Sequence, residues 1–370
     1  MKRLLVVVVA LSVVLFSGAA FAADTIKIGV PGAHSGDLAS YGLPSLNAAK
    51  LVVADINAKG GILGKKVEIV PEDDVCKPEV AANVGTKLVS EKVNVVMGHI
   101  CSGATKAALN IYKDAKIITM SPSATNVDLT KSGEYPNFFR TISPDDAQAN
   151  LQVVFAQKKL KVKKVAVIHD KGDYGKGLAE FAKADFEKMG IKVVLFEGIT
   201  PGAVDYSAVV QKIKRSGADA VVYGGYHPEA AKIVSGMRKK KMKTIFISDD
   251  GVRDDTFIKV AGKYAEGVYA TGPIDTTKNP LAIAAIEQHK KVYGTEPGAF
   301  YLNAYAATEC LLQGIEKAKS TDYAAIAKSL RSNWFQTPLG KISFDAKGDA
   351  KGIGFAVYQV KNGKYVEIGK

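Results

Sequence analysis

Two kinds of hydrophobic pattern alternate along the chain. Short runs rich in β-branched residues occur at Ile26–Val30, Val67–Val70, Val93–Gly98 and Ile117–Met120. Between them, Leu43–Ala58, Glu79–Glu91 and Thr105–Asp114 carry apolar residues at helical spacing. A second series follows, with strands expected at Lys164–His169, Val193–Phe196, Ala220–Tyr223, Thr244–Ile247 and Val268–Ala270. Its helices are expected at Tyr174–Met189, Tyr206–Ser216 and Glu229–Met242. Short apolar strands separated by amphipathic helices predict parallel sheets covered on both faces. Two successive series predict an α/β protein of two doubly wound domains. The break falls near Phe139–Asp146, where Pro144 and two aspartates read as a turn and a helix start. After Thr271 the pattern is helical again over Leu281–Tyr293, Phe300–Ala318 and Tyr323–Ser332. Two strands close the chain, Phe355–Val360 and Tyr365–Ile368, and Asn362-Gly363 between them signals a tight hairpin.

The N-terminus reads as an address. Lys2 and Arg3 precede Leu4–Phe16, which is apolar apart from Ser12, and Ala20-Phe21-Ala22 forms a small-x-small cleavage site. This is the form of a secretory signal peptide over residues 1–22. The apolar run is shorter than the roughly 20 residues that span a bilayer. The expectation is a chain exported to a bacterial periplasm. At 370 residues, 47% hydrophobic and 24% charged, the composition is that of a globular protein of about two domains. The net charge of +13 suits an anionic partner or a lysine-rich surface. Export argues against nucleic acid, and Arg238-Lys239-Lys240-Lys241 reads as the solvated end of a helix. There are three cysteines. An oxidising compartment permits a bridge between Cys76 and Cys101, worth about 3 kcal/mol by loop entropy. Spacing alone leaves the two other pairings open, and Cys310 sits in an apolar helical stretch where it would pack as a small hydrophobe.

Catalytic signatures are missing. The chain has no GxSxG, no GxxxxGK[ST] and no GxGxxG opening a helix. None of the five histidines pairs with another at metal-ligand spacing, so no metal and no cofactor is expected. What remains is chemistry in the loops at the carboxyl ends of the strands, where open parallel sheets bind ligands. The first strand leads to "PGAHSGDLASYG", ending near Tyr41. The third leads to "HICSGAT", which places Ser102 at a helix start, and the fourth to "SPSATNVDLT" with Ser123, Ala124 and Thr125. Two hydroxyl-rich helix starts on neighbouring strands would cradle a carboxylate, or would simply be two N-caps. The second series supplies "HDKGDYG" with Tyr174, "YGGYHPE" with Tyr226, and "ISDDGV" with Asp249 and Asp250. A carboxylate cradle, an acid for an ammonium group and a wall of tyrosines would together suit an amino acid. Read one by one, the same residues suit ordinary turns and half-exposed aromatics.

At "GHICSGAT", "HDKGDYGKGLAEF", "VVYGGYHPEAAKI" and "ADINAKGGILGKKVEIV", the chain resembles the periplasmic leucine/isoleucine/valine-binding proteins of branched-chain amino acid ABC transporters. The resemblance runs from about Ile26 to Val366. It implies two hinged lobes of the type I periplasmic binding protein fold, residues 23–143 with 273–353 and residues 144–272 with 354–370. It implies that Ser102, which follows Cys101, and Thr125 hold a ligand carboxylate. The Ser123 carbonyl would meet the ammonium, with Ala124 in the same loop. Tyr41, Tyr174, Tyr226 and Phe300 would line the cleft, and Cys76 and Cys101 would form the disulfide. The acid on the ammonium is usually a glutamate in this family, and Asp250 takes its place here. The resemblance further implies a monomer that hands leucine, isoleucine or valine to a membrane permease. A sensor or receptor for another amino acid, an amide or an aromatic acid is the alternative reading. An enzyme is disfavoured, because Ser102 has no motif-level histidine partner.

Overall fold

A computed structural model describes residues 25–368, so the signal-peptide assignment lies outside the described residues. Strands β1 (Ile26–Gly32), β2 (Val67–Asp73), β3 (Val95–Met97), β4 (Ile118–Ser121) and β5 (Phe138–Arg140) alternate with helices α1 (Ala39–Ala58), α2 (Pro78–Ser90), α3 (Ser102–Asp114) and α4 (Asp128–Lys131). The strands form one parallel sheet in the order β2-β1-β3-β4-β5. α5 (Asp145–Lys158) then opens the second series. It runs through β6 (Lys164–His169), α6 (Asp173–Lys188), β7 (Lys192–Gly198), α7 (Ser207–Ser216), β8 (Ala220–Gly224), α8 (His227–Lys239), β9 (Ile245–Ser248), α9 (Asp255–Ala261) and β10 (Tyr269–Pro273).

Helices α10 (Pro280–Tyr293), α11 (Tyr301–Ala318) and α12 (Tyr323–Ser332) follow, then the short strands β11 (Phe335–Thr337), β12 (Gly340–Phe344) and β13 (Ala350–Lys351). The chain ends in β14 (Phe355–Lys361) and β15 (Lys364–Ile368), which join the second sheet in the order β15-β14-β10-β9-β8-β6-β7. β6 to β10 are parallel, and β14 and β15 are antiparallel additions. Asn362 and Gly363 both have positive φ, as the hairpin signal requires.

The alternation expected from the pattern is therefore present, with three additions. β5 is a fully buried Phe-Phe-Arg segment too short to show a period. β11 to β13 form a separate antiparallel sheet from "FQT", "GKISF" and "AK", where glycines and lysines mask the strand signal. Helices α4 and α9 span only 4 and 7 residues. The strand expected over Val93–Gly98 shrinks to Val95–Met97, since the chain turns toward the ligand loops from Gly98 on.

The chain passes between the two sheets three times, at Thr141–Pro144, Ile274–Asn279 and Gly352–Gly354. Helices α10 to α12 return to the first sheet. Tyr301, Ala304, Leu311, Ile315 and Leu330 pack with Ile28, Val30, Val95 and Ile118 in one core, and the free Cys310 is buried among them. Cys76 and Cys101 are joined, with Cα atoms 5.5 Å apart. Mass mapping of unreduced protein should find the Cys76–Cys101 peptide pair and an unmodified Cys310; any pair that includes Cys310 would contradict this arrangement.

Candidate functional site

Both sheets have a switch point where the order of strands reverses. These lie between β1 and β3 in the first and between β6 and β8 in the second. Crevices form at such points because the connections leave in opposite directions. The loops from the two switch points face each other across one cavity of about 260 Å³. It is lined by Tyr41, Ile100, Cys101, Ser102, Ser123, Tyr174, Tyr226, Asp250, Gly251 and Phe300. Eight of these were expected from the sequence.

On the first-sheet side, α3 begins at Ser102 after the extended residue Cys101, with no side chain capping its free N–H groups. Such a terminus carries partial positive charge and suits a carboxylate. Ser102 does not cap its own helix. Its Oγ accepts from the Asn126 backbone N–H at 3.2 Å, tying the two hydroxyl loops together. The Ser123 hydroxyl donates to the Ile100 carbonyl at 2.7 Å. The second loop, unlike the first, is not a helix start: α4 begins only at Asp128 and spans a single turn. Ala124 and Thr125 are fully buried and stand behind the cavity wall rather than in it.

Residues with no obvious sequence signal hold this loop. The Ser121 hydroxyl donates to the His99 carbonyl at 2.6 Å and accepts from the Ser123 and Ala124 N–H groups. His99 is itself fixed between Asp74 at 2.5 Å and the Tyr112 hydroxyl at 3.0 Å. Arg140, fully buried, donates to the Ala124 carbonyl at 3.2 Å, the Asn126 carbonyl at 2.8 Å, the Thr130 hydroxyl at 2.6 Å and Asp349 at 2.6 Å. A lone arginine in the apolar run "NFFRTI" was the available clue to its role.

The second-sheet side supplies the acid and most of the aromatic wall. The Tyr174 hydroxyl donates to Asp250 Oδ1 at 2.6 Å and accepts from the Gly251 N–H at 3.1 Å. Burial pushes the Asp250 carboxyl up to about 6, against the lowering effect of its hydrogen bonds. Asp249 points away and accepts from the Gly225 N–H at 2.8 Å. Gly251 has to be glycine, because a Cβ there would lie 2.6 Å from the Gly225 carbonyl oxygen and 3.0 Å from the Tyr174 ring. The rings of Tyr174 and Tyr226 are 5.3 Å apart, and Tyr41 stands 6.0 Å from Tyr226 and 5.7 Å from Phe300. The disulfide packs beside Tyr226, so the bridge forms part of the cavity's support. The Tyr41 hydroxyl crosses the cleft to the Gly251 carbonyl, and Ser40 meets His227 at 3.2 Å. Asn126 donates to the Asp173 carbonyl at 2.6 Å. The cleft is thus closed by direct contacts between the lobes.

Residues 25–364 match the family described as "Periplasmic binding protein". The chain belongs to that family. As a periplasmic binding protein it is 37% identical, over 97% of its length and 96% of the relative's, to the leucine-, isoleucine-, valine-, threonine- and alanine-binding protein of Pseudomonas aeruginosa. It is 39% identical to the Leu/Ile/Val-binding protein of Escherichia coli K12, over 93% of this chain and 92% of the other. Among solved structures, the branched-chain amino acid transporter substrate binding protein of Streptococcus pneumoniae in complex with isoleucine superposes with a TM-score of 0.83. That pair shares 30% identity and covers 93% of this chain and all of that one. A periplasmic binding protein needs a cleft that recognises a small solute, and the paired switch points supply it.

Proposed function

We propose that this protein captures leucine, isoleucine or valine between two hinged lobes in the periplasm and delivers the ligand to the permease of an ABC transporter. The observation that carries the reading is the composition of the cavity between the two switch points. A hydroxyl-bearing helix N-terminus faces a buried aspartate across it, and tyrosines and Phe300 form the wall between. The α3 N–H groups and the Ser102 hydroxyl take the carboxylate. Asp250 and the Ser123 carbonyl take the ammonium. The aromatic wall encloses a branched aliphatic side chain by shape. One methylene in such a pocket is worth about 1–3 kcal/mol, so related aliphatic side chains are all admitted. The names of the relatives from Pseudomonas aeruginosa and Escherichia coli support the same ligand class.

The lobes divide as residues 23–143 with 273–353 and residues 144–272 with 354–370, a division supported by the membership of the two sheets. A ligand that bridges the lobes stabilises the closed form by its differential affinity. The protein acts as a monomer and is not an enzyme. Ser102 has no base beside it: His99 is committed to Asp74 and Tyr112, and His227 to Ser40.

Calorimetry with leucine, isoleucine, valine, small amides and aromatic acids tests this reading. Micromolar or tighter binding of at least one branched-chain amino acid is expected. Heat from an amide or aromatic acid, with none from the three, would assign the cleft to another solute.

A further inference from the structure

On the side away from the cleft, the second sheet ends in a pole made of helix ends and strand starts. Residues 158–164, joining α5 to β6, read KKLKVKK and hold five lysines. Residues 188–192, joining α6 to β7, hold two, and residues 214–219, joining α7 to β8, hold one lysine and Arg215. Residues 239–243, joining α8 to β9, hold four lysines. Backbone bonds set these turns side by side. The Lys192 N–H donates to the Lys163 carbonyl at 3.0 Å, the Asp219 N–H to the Lys164 carbonyl at 2.9 Å, and the Ile245 N–H to the Asp219 carbonyl at 3.0 Å. Lys164 and Lys192 are register partners on β6 and β7. All thirteen cations are exposed except the half-buried Lys240.

Little at this pole balances the charge. Asp219 is the one acid in the four turns, and its carboxylate accepts from the Lys163 and Lys164 backbone N–H groups at 2.9 Å each. Lysines along α6 and α7 are paired, Lys176 with Glu180 at 3.7 Å, Lys183 with Glu187 at 2.8 Å and Lys212 with Glu197 at 2.9 Å. Among the described residues, none of the thirteen forms such a pair. Helix ends account for part of the excess. Each carbonyl terminus carries about half a negative charge, so four of them balance about two cations. The matching turns of the first sheet, residues 59–66, 91–94, 113–117 and 131–137, hold seven cations and three acids. The second pole alone thus carries nearly as much excess charge as the whole chain's +13.

We infer that this pole is a docking surface for anionic phospholipid, held by charge alone. Twelve of its cations are lysines, which make point-charge contacts without the fixed fork by which arginine grips a single phosphate. The four turns contain no aromatic residue on which bases could stack, which argues against nucleic acid. Their apolar residues Val162, Ile191 and Met242 are buried, and Leu160 and Met189 are half-buried. No apolar anchor is therefore offered to a protein pocket or to acyl chains. A broad field of ammonium groups without a pocket matches a fluid layer of anionic headgroups. Such adsorption is reversible and weakened by salt. The cleft opens at the other ends of the strands, so a docked protein keeps it clear. The inference does not depend on which solute the cleft takes.

The test sediments the processed protein, residues 23–370, with vesicles of phosphatidylcholine containing about one-third phosphatidylglycerol, and with vesicles of phosphatidylcholine alone. Leaving out residues 1–22 removes the apolar run Leu4–Phe16, which would enter lipid by itself. Binding is expected to the anionic vesicles only, at about 50 mM salt, with a loss of about tenfold or more at about 500 mM. The combined variant Lys239→Gln, Lys240→Gln, Lys241→Gln and Lys243→Gln should bind about tenfold more weakly or worse, since each lysine at an anionic surface is worth up to about fivefold. The control variant Lys59→Gln, Lys66→Gln, Lys92→Gln and Lys116→Gln removes the same charge from exposed sites at the first sheet's pole, and should lose less than about threefold. No binding of the unmodified protein to anionic vesicles at low salt overturns the inference whatever the variants do, and equal losses in the two variants overturn it as well. Tighter binding to a random DNA duplex than to the vesicles would overturn it in favour of nucleic acid.

Discussion

Replacing Asp250 by alanine weakens leucine binding by about two orders of magnitude, the expected result if this carboxylate is the direct partner of the ammonium. A hydrogen bond to a charged group contributes about 1.5–3 kcal/mol, and here the loss also leaves a cation facing apolar surroundings and the Tyr174 hydroxyl. The pH dependence has a definite sign. With Asp250 raised to about 6, the ionised form that the ligand needs is depleted as pH falls through 6, so affinity declines on the acid side. Above that pH, the closed unliganded protein carries a desolvated carboxylate without a cation. An ammonium group at that position removes the cost. Calorimetry of Asp250→Ala and of the unmodified protein at several pH values measures both effects. Unaltered affinity in the variant would mean that the aspartate answers a different ligand group.

The largest loss of stability is expected from Arg140→Leu. The substitution removes the guanidinium that holds Asp349, the Thr130 hydroxyl and the carbonyls of Ala124 and Asn126. Breaking a buried ion pair by deleting one partner costs about 3–5 kcal/mol. For a protein of this size the apparent melting temperature should drop by about 10 °C. Leucine binding should weaken as well, since the loop from Ser123 to Asn126 is built on those bonds. Thermal unfolding within a degree or two of the parent would show that the arginine is dispensable.

Much of this architecture is legible in the chain because parallel strands buried on both faces need continuous apolar runs. Val165–Ile168 and Ala220–Tyr223 stand out for that reason. The aromatic and acidic groups of the cleft were legible for another: Tyr226 and Asp250 come two residues after β8 and β9, and Tyr41 and Tyr174 lie in the first turns of the helices that follow β1 and β6. The hydroxyls misled. Ser102 and Ser123 looked like helix caps, and each instead bonds backbone of the neighbouring loop, a pairing between residues more than twenty positions apart that no local pattern encodes. The same limit hid Arg140, whose partners come from other parts of the chain. Strands β11 to β13 were illegible because their residues pair only with one another, on an edge where lysine and glycine are tolerated.

The triple passage between the sheets also sets when this protein can fold. The core of the first sheet unites Ile26 with Phe344, and that of the second unites Ala166 with Val360. A chain made from its N-terminus onward has neither core complete until almost its whole length has emerged. Its early strands lack the face that α11 and α12 will cover, so premature collapse gains little. Such a polypeptide completes neither of these cores through most of its synthesis.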